Sequence, residues 1–479
     1  MNTHRNHTLT HTAIKTAFTA AIGLAFYLIA LPTIGAIAQT TTEAVNPTQG
    51  SVKIVGGQYF DTTAGVFVKN EGLLIEDGKF KSLSDDSAQV QSITLEDDAY
   101  ILPGLIDCHA HYNVRLIRKR REEFTVIPIQ YLANGVTVTF SCGEYNPEGM
   151  LKLKHDIASG KKIGPRLLNS GPYFGTARRP WHADPDKVRD EVDFWAEKGV
   201  GGFKAKLIDP PSLKALIEQA HKHHLTVTGH LDSGFRNSVN PSTAIDLGID
   251  RIEHFLGGDA MGNDQPAYST LGQITADMPE FKAIVQKFIE TETVFDATIS
   301  AYGYFGTREK FYDYWYDERQ LFTPHVQALV TEREKSYRPM MRFHKIFETK
   351  QTTIDDYFAA GGKISLGTDH FSNGTYLAGF GAHREMEILN SAGIPAADVL
   401  RIATINGAEA LNIDQQHGSI AVGKSGDLVI VTGNPLDDIK NTRNVQTVVR
   451  AGVVYDSAEL LDSVKGKLGP ATTEEEKDW

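Results

Sequence analysis

Residues 101–111 run Ile101-Leu102-Pro103-Gly104-Leu105-Ile106-Asp107-Cys108-His109-Ala110-His111. Tyr100 to Leu102 with Leu105 and Ile106 form an apolar run with the profile of a buried strand, and it ends abruptly in His-x-His. Alternate side chains of a strand share a face, so His109 and His111 point the same way and can hold one ion between them. Two histidines that merely happen to alternate are the plain alternative. Histidine is a common metal ligand, but an isolated pair is weak evidence, so the surrounding sequence has to decide.

The chain has 479 residues and enough apolar content for a large core, which suits one big domain with a smaller one. Its formal net charge is −12, and Arg115 to Arg121 is the one basic cluster. That balance argues against nucleic acid as the main partner. The cluster itself reads either as a solvated helix face or as a contact for an anionic substrate. At the N-terminus, His4, Arg5 and Lys15 precede an apolar stretch from Thr16 to Leu31, and Ala36-x-Ala38 follows before Gln39. This is the pattern of a signal peptide over residues 1–38, cleaved near Gln39, and an uncleaved anchor is disfavoured by the short apolar stretch. Periplasmic or secreted localisation is therefore expected, with no stable membrane anchor after cleavage. Removing residues 1–38 takes away Arg5 and Lys15 and no acid, leaving a charge of −14. Cys108 and Cys142, the only cysteines, lie near predicted strands and read as reduced core residues.

Short strands joined by tight turns run from Val52 to Gly78, and the same texture returns from Gly418 to Tyr455. Neither piece alone has enough strands to bury a face, so the two are expected to pair into one small β-sandwich, 39–103 with 418–462. Between them, over 104–417, strands alternate with helical segments, as in an α/β parallel barrel. After the opening strand come Val136 to Phe140, Pro165 to Gly171, Gly199 to Leu207, Leu225 to His230, Ile249 to His254, Thr293 to Thr298 and Lys363 to Asp369. A helix is expected over Pro211 to His221. The aromatic-rich interval 302–357 reads as a helical excursion, either a pocket wall or plain packing against the barrel. The polar tail, 463–479, is expected to be unstructured.

Pro103-Gly104-Leu105-Ile106-Asp107-x-His109-x-His111 resembles the first barrel strand of the amidohydrolase superfamily, metal-dependent hydrolases on a TIM (β/α)8 barrel, in its imidazolonepropionase-like and prolidase-like branch. Ile252-Glu253-His254, Gly367-Thr368-Asp369 and Ala403 to Leu411 look like its later signatures. TIM-barrel chemistry lies at the C-terminal ends of strands, where His109, His111, Lys204, His230, His254 and Asp369 fall. The resemblance implies that His109, His111 and Asp369 hold one divalent ion and that His230 and His254 hold another. A lysine carboxylated by carbon dioxide bridges the two, which as an ammonium it would repel. Distance from Gly199 favours Lys204 over Lys206 for that role. Zinc suits the set, with manganese, iron and cobalt open. Glu253, His370, His383 and Glu385 are candidates for orienting ligands or lining the pocket, or are ordinary polar residues. Ala205 to Pro210 departs from the glycine-rich loop of dipeptidase members, so a peptidase-type substrate is not carried over.

The resemblance thus implies hydrolysis of a C–N bond, amide or cyclic amide, in a small molecule. Metal-bound hydroxide is the expected nucleophile and Asp369 the proton carrier. Lactonase or phosphotriesterase chemistry would use the same centre. A non-catalytic binding relative is the third reading, and a deaminase with one metal the fourth. A homo-oligomer is compatible with all of them.

Overall fold

The computed structural model describes residues 50–82, 90–116, 120–177, 179–231, 238–254, 256, 267–311, 315–370 and 376–479. The expected signal peptide, Arg118, Lys119, Tyr312 and Tyr314 lie outside the described residues. No helix among the described residues is long and apolar enough to cross a membrane.

The architecture is α/β. Leu105–Ala110 pairs in parallel with Val136–Ser141, and that strand pairs in parallel with Arg166–Leu168. A second parallel run follows chain order through Tyr173–Phe174, Gly202–Lys206, Thr226–His230, Arg251–Glu253, Val294–Asp296 and Ile364–Ser365. These are the strands that the apolar runs predicted, except that the third is only Arg166–Leu168 and that Tyr173–Phe174, outside the predicted runs, makes the pairing to Gly202–Lys206. Leu105–Ala110 and Val136–Ser141 are buried at every position, as expected where both faces of a parallel sheet are covered. The first strand also meets the last. Cys108 N donates to Leu366 O at 2.8 Å and Asp369 N donates to His109 O at 3.0 Å.

Local chemistry sets the helix boundaries. Pro147–Ala158, Pro185–Glu197 and Pro210–Lys222 each begin with proline behind a capping residue, Asn146, Asp184 and Asp209. The cap oxygens accept orphan amides, as Asp209 Oδ1 does from Ser212 N at 2.9 Å, and proline loses nothing at a position whose N–H has no helical partner. Gly135, just past Val126–Ala133, has a φ of +79°, the left-handed conformation that closes a helix before the next strand.

Two further sheets flank this core. Val52–Val55, Leu73–Glu76, Lys79–Lys81 and Gln91–Thr94 form the first. The second joins Gln58–Asp61, Val66–Lys69 and Ala99–Pro103 to Leu428–Thr432, Val445–Arg450 and Val453–Asp456, so both ends of the described chain contribute to it. Val52, Ile54 and Ile75 from the first share an apolar cluster with Ile101, Ile430 and Val449 from the second. The inward-facing alternate residues of both sheets supply that cluster.

The tail, expected to be unstructured, is ordered: Thr473–Asp478 is helical, Leu468 is fully buried, and His325 Nε2 lies 2.9 Å from a Glu476 carboxylate oxygen. A few apolar anchors and a helix capped by Thr472 suffice to order a segment whose average composition is polar. Among the described residues of the basic cluster, Arg115 and Arg120 lie outside any helix and Arg121 lies in a strand, Arg121–Glu122, that pairs antiparallel with Asn113–Val114. The excursion is helical, over Ile299–Phe311, Pro324–Lys335 and Met341–Ala359, and its aromatics divide between both expected roles. Tyr302 and Phe305 line a cavity, whereas Tyr304 stacks on Tyr376 and Trp315 packs on Phe380.

Candidate metal centre

The first strand brings His109 and His111 to one cavity, their rings 5.3 Å apart, and both are almost fully buried. Asp107 fixes their strand end, accepting from His109 N at 3.0 Å and from the Thr368 hydroxyl at 2.7 Å. Thr368 in turn stands beside Asp369, so one buried carboxylate joins the two ends of the strand array. Gly367 has a steric reason: a Cβ there would lie 2.0 Å from Asp296 Oδ1.

Asp369 Oδ1 lies 2.9 Å from His111 Nε2 and 3.5 Å from His109 Nε2, and Oδ2 lies 3.7 Å from His254 Nε2. His254 in turn stands with its ring 5.0 Å from that of His109 and 4.8 Å from that of His230. His254 and Asp369 both have positive φ, +65° and +44°, a sparsely populated conformation that turns each side chain off its strand end. Among the described residues, two groups of donor atoms lie mutually within 4.8 Å: His109, His111 and Asp369, and His109, Glu253 and His254.

Lys204 and Lys206 share a strand face and both line the cavity. Lys204 is 2% exposed and its Nζ is hydrogen-bonded to Glu253 Oε2, whereas Lys206 stands nearer the mouth with its Nζ 5.7 Å over the Tyr173 ring. Lys204 is thus the lysine among the imidazoles. All six expected residues converge on this one region.

The four further candidates separate. Glu253 is inside the centre, also accepting from the Thr228 hydroxyl at 2.8 Å. His370 follows Asp369 in the chain, with Nδ1 2.9 Å from the Tyr131 hydroxyl, which also donates to His111 O at 3.2 Å. Glu385 accepts from Ile299 N and Ser300 N, supporting the helix that carries Tyr302. His383 is elsewhere, between Asn134 O and Thr442. Sequence reading passed over Asp296, which lies 3.4 Å from His109 Nδ1. The available signal was an acid ending a buried strand, the same signal that Asp369 gives. It also passed over Lys350, which no strand pattern marks.

Burial and charge put these groups in ligand-competent states. Burial lowers His230 and His254 well below the ordinary imidazole value, and lowers His111 to about 4, against the pull of Asp369. Burial would also lower His109, but the carboxylates of Glu253 and Asp369 outweigh it and raise its proton affinity. Burial opposes ionisation of Asp369, yet His109, His111 and His254 hold it well below the usual carboxylate range. Neutral His111, His230 and His254 beside an ionised carboxylate are what divalent cations bind, and the acids that favour a proton on His109 equally favour a cation in its place, so the donor set fits a metal.

The sequence pattern of the amidohydrolase family matches residues 316–455. A 5-methylthioadenosine/S-adenosylhomocysteine deaminase of Thermoanaerobacter pseudethanolicus is 37% identical over 84 residues, 16% of this chain and 20% of that protein. Adenine deaminase 4 of Rhizobium meliloti is 34% identical over 113 residues, 22% of this chain and 18% of its own length. The chain therefore spans about a fifth of the curated relatives it matches. Among solved structures, a Xaa-Pro dipeptidase with bound methionine superposes with a TM-score of 0.63 at 20% identity, over 85% of this chain and 100% of the other. Molinate hydrolase gives 0.65 at 21% identity, over 89% and 98%. The matched pattern includes the Gly367-Thr368-Asp369 strand end, so over residues 316–455 this chain is similar to the amidohydrolase family, and it shares its fold with these solved hydrolases.

Proposed function

We propose that the protein is an exported, metal-dependent amidohydrolase that cleaves a C–N bond, amide or cyclic amide, in a small molecule. The observation that carries this reading is the convergence of His109, His111, Lys204, His230 and Asp369 on one cavity with His254 at its side. The deaminase and dipeptidase names of the relatives support C–N chemistry.

The architecture we propose is a closed (β/α)8 barrel over 104–417. The Cys108–Leu366 and His109–Asp369 backbone hydrogen bonds support closure. We assign 39–103 and 418–462 to one composite β-sandwich, supported by their shared sheet and apolar cluster. Export rests on the pattern of residues 1–38, and N-terminal sequencing of protein from the periplasm or medium tests it: a start near Gln39 is expected.

In this reading His109, His111 and Asp369 would hold one divalent ion and His230 and His254 a second, Lys204 would serve both once carboxylated, and zinc is the expected metal. When bound, the ions supply water acidified to a pKa of about 7 and a Lewis acid for the scissile carbonyl. Asp369 is the proton carrier. Its carboxylate oxygens face the cavity and both lie near the imidazoles, so an oxygen can accept a proton from the attacking water and return it to the leaving nitrogen. Tyr302 and Phe343 exclude bulk water from that side.

The test is turnover by the purified holoenzyme of N-acyl amino acids, dipeptides, cyclic amides, lactones, phosphotriesters and aminopurines. Amide or cyclic-amide cleavage is expected. Lactones or phosphotriesters turned over orders of magnitude faster would move the assignment to that chemistry. Deamination is the second reading that the curated relatives favour, and ammonia release from aminopurines alone would establish it.

A further inference from the structure

Two unlike groups of side chains, or walls, line the cavity, which has a volume of about 280 Å³. Arg115, Arg120 and Lys206 form a cationic wall. Arg120 donates to the Tyr145 hydroxyl at 3.1 Å, the Tyr145 and Tyr173 rings meet edge-on at 5.8 Å, and Lys206 lies over Tyr173. This chain of contacts holds two of the three charges in place. The second group is Tyr268, Tyr302, Phe305 and Phe343, in which the Phe343 ring centroid lies 5.6 to 5.8 Å from those of the other three. Tyr302 adjoins His254 at 6.1 Å and Tyr268 adjoins His230 at 6.0 Å, so the aromatic wall begins at the metal-binding imidazoles.

The chain carries a net charge of −12, yet Asp369 is the one carboxylate among the described lining residues. A cationic wall in an otherwise acidic protein concentrates small anions there. Arginine adds direction, because its planar fork matches a carboxylate bidentately. The aromatic wall offers flat apolar area that contributes through burial and ring stacking. The cavity is at the lower end of small-molecule sites, too small for a folded or polymeric substrate.

We infer that the substrate is an amide carrying a free carboxylate on one side of the scissile bond and an aromatic group on the other, with Arg115, Arg120 and Lys206 receiving the carboxylate. This inference rests on the hydrolase reading above and narrows it. The aromatic group packs against Phe343 and Tyr302, and the amide lies between the walls beside Asp369.

The experiment compares N-benzoylglycine, its N-methyl amide and N-acetylglycine with the holoenzyme, both as substrates and as ligands by calorimetry. The acid is expected to be favoured over its neutral amide, and the benzoyl over the acetyl compound. In Arg120→Met the acid-over-amide preference should fall about ten- to a hundredfold, the loss of one charged hydrogen bond. In Phe343→Ala the benzoyl-over-acetyl preference should fall while acid-over-amide is kept. Equal binding and turnover of acid and neutral amide, or an Arg120→Met variant that keeps the full preference, would overturn the inference. Selective binding of N-benzoylglycine without any amide cleavage would uphold the two walls and count against the hydrolase reading alone. Cleavage of neutral amides without preference would do the reverse.

Discussion

The Lys350 ammonium donates to the main-chain carbonyl of His254 at 2.5 Å, and a second bond at 2.8 Å reaches Ala297 O. His254 and Thr298, the residue after Ala297, both have left-handed backbones, so these carbonyls are turned out of the strand ladder and need another donor. Burial pushes the Lys350 amine down to about 7, with Glu385 and Asp296 pulling the other way. A buried lysine from the Met341–Ala359 helix therefore sets the backbone turn that aims His254.

Lys350→Met keeps the volume and leaves two buried carbonyls without their donor. We expect a loss of about 2–4 kcal/mol in denaturant unfolding. We also expect weaker binding of the ion on the His254 side, read by metal titration. Unchanged stability with unchanged metal affinity would remove Lys350 from the account.

Lys204 and Glu253 form an ion pair shut off from water. Burial opposes ionisation of Glu253, but His109 and Lys204 hold its carboxyl below the usual range. Lys204→Met in the metal-free protein should therefore cost about 3–5 kcal/mol, because it strands a buried charge. Lys204→Met with Glu253→Gln should recover most of that. A double-mutant cycle with no coupling would show that the pair is not formed. In the holoenzyme, mass spectrometry should find one carbon dioxide on Lys204 and none on Lys206.

Asp427 couples stability to pH. Burial raises its carboxyl, but His417 at 3.1 Å and the Ala451 amide at 2.7 Å outweigh this and hold it at about 2. The folded value lies below the unfolded one, so the stabilisation is complete above the ordinary carboxylate value near 3.8 and is lost as pH falls toward 2. Asp427→Asn should remove about 2 kcal/mol at neutral pH and flatten the acid limb of unfolding between roughly pH 5 and 2. An unaltered acid limb would contradict the assignment.

Asp369→Asn and His109→Ala are expected to reduce turnover by at least about 10²- to 10⁴-fold, the range for losing a positioned proton carrier or more. Circular dichroism should show the fold retained. Substantial activity in either variant would count against Asp369 as proton carrier or His109 as ligand.

The sequence was most legible where one element carried its own signal. The alternation of His109 and His111 at the end of an apolar run placed both on one cavity, and Gly367-Thr368-Asp369 marked a strand end whose glycine makes room for Asp296. Lys204 and Lys206 were harder, since alternation puts both on one face and only depth in the cavity separates them. Lys350 and Asp107 were invisible as site residues, because each acts through a backbone or hydroxyl partner far away in the chain. The tail misled because its order comes from Leu468 and His325, contacts that local composition does not register.

If His109, His111, Lys204, His230, His254 and Asp369 form one centre for divalent cations, the protein should depend on those ions. Elemental analysis of the purified protein, before and after exhaustive chelation, with activity followed through re-addition of zinc, tests it most directly. Two ions per chain, inactivity of the stripped protein, recovery on zinc and reduced occupancy in His109→Ala are expected. Full activity in protein stripped of every divalent ion would contradict it.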